Sequence, residues 1–212
     1  MTMTPGLRKF ALTTHVASSV GWLGAVGAFL ALAIAGLSSQ DAQMVRAAYL
    51  TMHLTTWFVI VPLSLAALLT GIVQSVGTTW GLFRHYWILT KLLLTVLATI
   101  ILLVHTQPIG RVAAVAAETT LATGDLRQLR LQLVGDACAA LFVLLMTTTL
   151  SVYKPWGMTS YGLRKQNEVT AAWRPTSTRQ LAPWGRNVLF GIIAVVLLVL
   201  LLHLAGVGLP GH

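Results

Sequence analysis

Three histidines, a lysine and an aspartate stand inside otherwise apolar stretches of this chain: His15, His53, His105, Lys91 and Asp136. An ionisable group in such a setting is costly and turns toward a packed interior or a partner, so each is a candidate for chemistry. Neutral imidazole is a good ligand for haem iron, copper or zinc. A carboxylate beside it completes a small metal site, shuttles a proton, or holds a nearby Arg127 or Arg130. A lysine pairs with an acidic group such as a haem propionate or, once deprotonated, acts as a base or ligand. The candidate metal ligands are therefore His15, His53, His105 and Asp136. The candidate cofactor-binding set is His15, Lys91, His53, His105 and Trp22.

Helical spacing groups these residues into faces. His15, Ser18, Ser19 and Trp22 fall on one side of a helix, and Ala17, Gly21 and Ala25 form a row of small residues that lets a second helix come close. His53, Thr56, Trp57, Ile60, Ser64, Ala67 and Gly71 share a face of the next segment, where Pro62 predicts a kink. Lys91, Thr95, Ala98, Leu102 and His105 share a third face, and Asp136 and Thr147 a fourth. Two polar levels result: His15 with Lys91 near one end of the segments, and His53, His105 and Asp136 near the other. Lys91 and His105 lie about 21 Å apart at 1.5 Å per residue.

For each candidate a plainer reading stands beside the chemical one. His53 and His105 are also what an interface with water and headgroups would hold. His15 is also what an interhelical hydrogen bond would use, and Lys91 is long enough to snorkel to the membrane surface. His85 reads as interfacial beside Arg84 and Tyr86, and His203 and His212 carry no role.

The elements that must position these groups are apolar segments near or above the ~20 residues that cross a bilayer. They run from about Phe10 to Leu37, Ala47 to Val76, Tyr86 to Thr106, Leu131 to Val152 and Val188 to Ala205. The fold expected is an all-α polytopic membrane protein. Residues 1–152 form a four-helix transmembrane bundle, 153–186 a basic cytoplasmic linker, and 187–212 an appended transmembrane helix without a polar stripe. Ile109 to Arg130 reads as a connection containing a short external helix.

Of 212 residues, 56% are hydrophobic and 9% charged, which excludes an ordinary soluble domain, where roughly 25% are charged. The net charge of +9 does not point to nucleic acid, because the basic residues lie in the connections. Arg8, Lys9, Arg84, Lys154, Arg164, Lys165, Arg174, Arg179 and Arg186 fall on one side, against Arg46, Arg111, Arg127 and Arg130 on the other. The positive-inside rule then predicts a cytoplasmic N-terminus and an external C-terminus in a bacterial inner membrane. Trp80, Trp87, Trp156 and Trp184 read as an interfacial belt on the cytoplasmic side. Cys138 is the single cysteine and reads as a packed helix residue; iron–sulfur, thiol-zinc and c-type haem sites lack their ligands.

The stretch Arg-Lys-Phe-Ala-Leu-Thr-Thr-His15-Val-Ala-Ser-Ser-Val-Gly-Trp22-Leu-Gly-Ala, with Trp87-Ile-Leu-Thr-Lys91 opening the third segment and His105 closing it, resembles a bacterial superfamily of small haem-type membrane bundles. That superfamily includes the membrane protoporphyrinogen oxidases, the copper-resistance-D-like proteins and several uncharacterised families, whose texture is the nearest. The resemblance covers about residues 7–106. It implies that His15 and Lys91 occupy functional positions, that b-type haem is the cofactor, and that the partner in chemistry is a quinone or a porphyrin. Three functions follow as expectations: a redox protein passing electrons between haem and such a substrate; a non-catalytic subunit whose basic linker docks a partner; and a small metal-handling transporter.

Overall fold

The computed structural model describes residues 3–77, 83–118, 127–153 and 157–171. The fifth apolar segment, most of the basic linker, and Trp80, Trp156 and Trp184 lie outside them. Among the described residues six α-helices follow in order: α1 Pro5–Ser38, α2 Ala42–Thr55, α3 Val61–Gly77, α4 Tyr86–Glu118, α5 Arg127–Tyr153 and α6 Ser160–Ala171. A π-turn over Thr56–Ile60 joins α2 to α3 in one continuous rod. Among the described residues four helical spans, counting that rod as one, are long and apolar enough to cross a membrane. The protein is a helical membrane protein.

Local chemistry explains the boundaries. Pro5 opens α1, where its missing N–H costs nothing. α1 ends as Ser39 turns extended, and the Asp41 carboxylate accepts the Gln43 N–H to cap α2. The short connection makes α1 and α2 an antiparallel hairpin. Pro62 cannot bond back to residue 58, and the wide turn just before it, closed by the Val61 N–H on the Thr56 carbonyl, absorbs the break. That turn also inserts a residue into the helical count. Thr56, Ile60, Ser64 and Ala67 stay buried and His53 and Gly71 half-buried, as the shared face requires, but Trp57 swings outward and is 47% exposed.

α4 differs from expectation in length. It passes straight through Pro108 to Glu118, so the separate external helix within Ile109 to Arg130 is replaced by an extension of the third span. The extension buries Ile109, Val112, Ala113 and Ala116, and α4 packs on α2. Cys138 is exposed on the outer surface of α5, not packed.

The spans form a square. α1 packs on α2, α3 and α5; α4 packs on α2, α3 and α5. One core threads the bundle through Trp22, Val26, Phe29 and Ala33 of α1, Tyr49 and Met52 of α2, Val112 of α4 and Leu133, Ala137 and Leu144 of α5. At one end the N-terminus and two connections are stitched together: the Met3 N–H donates to the Gly77 carbonyl, His85 pairs with Met158 in an isolated antiparallel bridge, and the Thr159 hydroxyl donates to the Phe83 carbonyl at 2.5 Å. Gly162 allows this, because a Cβ there would collide with the Arg84 carbonyl. This is the connection end; the α1–α2 turn marks the opposite, hairpin end.

Candidate functional site

The two polar levels are present, and their chemistry differs. At the connection end a cavity of about 670 Å³ opens among α1, α3, α4 and α5. His15, Ser19 and Trp22 line it from α1, Gly71, Gln74 and Ser75 from α3, Trp87, Lys91 and Thr95 from α4, and Thr147, Thr148 and Ser151 from α5. Its size falls inside the ~300–1,000 Å³ of small-molecule and cofactor sites. Helical spacing put His15 and Lys91 at one depth, and they now share one cavity. Trp87, read as interfacial, is a half-buried wall of the same cavity.

His15 is held in a defined tautomer. Its Nδ1 lies 3.1 Å from the Ala67 carbonyl oxygen, which can only accept, so Nδ1 carries the proton and donates. The Thr70 hydroxyl, 3.1 Å from the same nitrogen, gives its own hydrogen to the Ala66 carbonyl at 2.5 Å. The lone pair of the ring is therefore on Nε2. Gly71 makes room for the imidazole: a Cβ there would lie 3.1 Å from His15 Cε1. Ser18 serves the helix instead, donating to the Thr14 carbonyl. The hydroxyls of Thr147, Thr148 and Ser151 likewise donate within α5, to Leu144, Leu144 and Thr147 carbonyls, which leaves oxygen lone pairs along that wall.

At the hairpin end the polar groups meet one another. His105 Nε2 lies 3.3 Å from Asp136 Oδ2, joining α4 to α5, while its Nδ1 donates to the Ile101 carbonyl at 2.7 Å. Both ring nitrogens are thus engaged. Arg130 does not hold Asp136, the role considered from sequence. Its Nε donates to the Tyr49 hydroxyl at 2.8 Å, its Nη2 to the Gly36 carbonyl, and its guanidinium sits 5.4 Å from the centre of the Tyr49 ring. A cation on a late carbonyl of α1 also complements the helix dipole. Sequence reasoning missed this cluster; the available signal was Gly36, where a Cβ would strike the Tyr49 ring at 2.8 Å. His53 is half-buried near Gly110 of α4, its Nε2 3.8 Å from where a Cβ would stand.

Among the described residues no three or more His, Cys, Asp or Glu side chains converge on a point that could hold a metal ion. A site built on one imidazole and a large cavity is a different case, because a macrocycle supplies the remaining ligands itself. The connection-end level fits such a group on three counts: a committed Nδ1–H that leaves Nε2 as donor to a metal, a glycine cradle beside the ring, and Lys91 on the same cavity for an acidic substituent. Comparison with protein-family models, with curated proteins and with solved structures finds no match to this chain.

Proposed function

We propose that the protein is a bacterial inner-membrane haem protein that binds b-type haem in the connection-end cavity and serves electron transfer or the redox chemistry of a porphyrin or quinone. The observation that carries this reading is the anchoring of His15. Metal-ligating histidines almost always donate their second ring N–H to a carbonyl or carboxylate, which fixes the ring and raises its basicity, and the Ala67 carbonyl does this for Nδ1. His15 Nε2 would hold the iron, and Lys91 would pair with a propionate or stand as a second ligand. Bound haem would supply one-electron exchange at the iron, and Trp22 and Trp87, which line the same cavity, would offer apolar walls to the ring. The resemblance of the His15 and Lys91 segments to membrane protoporphyrinogen oxidases and copper-resistance-D-like proteins points the same way.

The finer topology belongs to the same proposal. The N-terminus and the 153–186 linker face the cytoplasm, and residues 187–212 add a fifth span that ends outside, as the distribution of basic residues favours.

The test is the visible spectrum of the purified full chain and four variants. The expected result is a Soret band in the wild type, lost in His15→Ala, weakened or shifted in Lys91→Ala, and kept in His53→Ala and His105→Ala. Loss in the last two with retention in His15→Ala would move the site to the hairpin end. A colourless wild type from cells fed haem precursor removes the haem reading. It would leave a membrane subunit whose linker docks a partner, a reading favoured by the exposed Arg164 and Lys165 on α6.

A further inference from the structure

The cavity has four walls, and three of the seams between them are closed. α1 and α3 meet at Gly21 and Leu63, at Gly71 and His15, and through the Gln74 amide donating to the Ala11 carbonyl at 2.8 Å. α4 and α5 close over Leu94 and Leu150 with Trp87 and Val143. α3 packs on α4, and every cavity-lining residue from those two helices is buried or half-buried.

Among the described residues the fourth seam is open. Leu12, Val16 and Val20 of α1 line the cavity and are also 52%, 51% and 63% exposed. Across from them Thr148 is exposed and Val152 is 70% exposed. A residue that borders a cavity and the outer surface together marks its mouth. α1 and α5 do pack on each other, and the core residues they contribute, Trp22, Val26, Phe29 and Ala33 with Leu133, Ala137 and Leu144, run from there toward the hairpin end. The mouth is the part of their seam on the connection side of that contact. Its rim is aliphatic, on spans apolar enough to sit in hydrocarbon. A water-filled entrance would be costly there, whereas acyl chains meet such a rim without loss.

We propose that the cavity is loaded sideways from the hydrocarbon layer, through the gap between α1 and α5, and that its ligand is a membrane-dissolved ring compound bearing an acceptor oxygen for Lys91. Trp22 and Trp87 offer faces for the ring, and among the described residues Lys91 offers the only side-chain ammonium on the walls. A quinone and a tetrapyrrole carboxylate share this chemistry. This rests on the proposed function for the ligand's kind, but the route can be tested without any cofactor.

The experiment places a cysteine inside the cavity, Thr147→Cys, in a Cys138→Ser background of the full chain in vesicles. Thr147 is buried and lines the cavity, so a thiol in its place is reached from within the cavity. Pyrene maleimide, which partitions into lipid, should label it faster than a charged methanethiosulfonate. Val16→Trp and Thr148→Trp, each on the rim, should slow that labelling by about tenfold or more, while Val16→Ala leaves it unchanged or faster. Faster reaction with the charged reagent, or tryptophans without effect, overturns the lateral route. In parallel, haemin transfer from vesicles should slow in the two tryptophan variants with the final Soret band preserved. His15→Ala should lose the band yet keep the labelling rate, so failure of haem binding and failure of the route give different patterns.

Discussion

Removal of either partner from the His105–Asp136 pair gives a sharp energetic test of the hairpin-end level. The two side chains are 10% and 19% exposed, so neither is rehydrated when the other is cut away. With Nδ1 donating to Ile101, the contact between Nε2 and Oδ2 needs one proton, whichever atom holds it. Asp136→Ala removes the carboxylate beside Nε2, a loss of about 1–3 kcal/mol. His105→Ala leaves a desolvated carboxyl, and breaking a buried pair from that side costs about 3–5 kcal/mol. Asp136→Asn keeps an amide donor for a neutral Nε2, so its cost should be near the ~0.6 kcal/mol of an average interhelical hydrogen bond in a membrane bundle. The double alanine variant removes both problems together and should cost less than the sum, with a coupling of about 1–2 kcal/mol. Reversible unfolding in mixed micelles, followed by far-ultraviolet circular dichroism at neutral pH, measures all four. Additive single effects, with coupling below ~0.5 kcal/mol, would show that the two side chains do not depend on each other and refute the argument.

Gly71→Ala should push the His15 ring through its 3.1 Å approach to Cε1; haem affinity should fall about 10–100-fold by spectral titration while the melting temperature barely moves. Gly36→Ala should instead destabilise the fold by about 1–3 kcal/mol and leave any bound chromophore, because its Cβ strikes the Tyr49 ring far from the cavity. Thr159→Val removes the hydroxyl that donates to Phe83 and accepts from the Gly162 N–H, and limited proteolysis should then cut near 157–163 sooner. Reporter fusions after Gly124 and after Ala171 should read external and cytoplasmic respectively, and reversal of both would overturn the orientation. A chain truncated before Arg186 should still insert and keep its Soret band, and loss of either would make residues 187–212 part of the site.

The faces of the spans were legible in the residues because the helical period leaves little freedom. His15, Ser18, Ser19 and Trp22 turn inward together, and His15 and Lys91 meet at one depth because both enter from the same end a similar number of residues in. Two features resist that kind of reading. A period of 3.6 cannot foresee an inserted residue, so Trp57 was assigned to the face that the π-turn carries it away from. The third segment, expected to end at Thr106, continues through Pro108 for an energetic reason. The break costs roughly 3 kcal/mol. The residues beyond it bury Ile109 and Val112, at about 1.5–3 kcal/mol each, with Ala113 and Ala116 added. Tertiary burial outweighs the local penalty, and no window of sequence contains that comparison.

Arg130 illustrates why the two levels do different work. Nearest-charge reasoning along α5 would give it to Asp136, six residues on. The structure gives each a neighbour on another helix: Arg130 the α1 terminus and Tyr49, Asp136 the imidazole of His105. Every charge so matched lowers the cost of a polar group in hydrocarbon and ties two spans together, which is a structural use. At the connection end the matching stops halfway. His15 has its Nδ1–H committed to Ala67, and the hydroxyls of α5 have spent their hydrogens within the helix, yet the imidazole, the ammonium of Lys91 and those oxygen lone pairs converge on a cavity and not on one another. A bundle that pairs its polar groups at one end and aims them into a space at the other has fixed its shape with the first set. The second set is where the proposed ligand would repay the cost of burial.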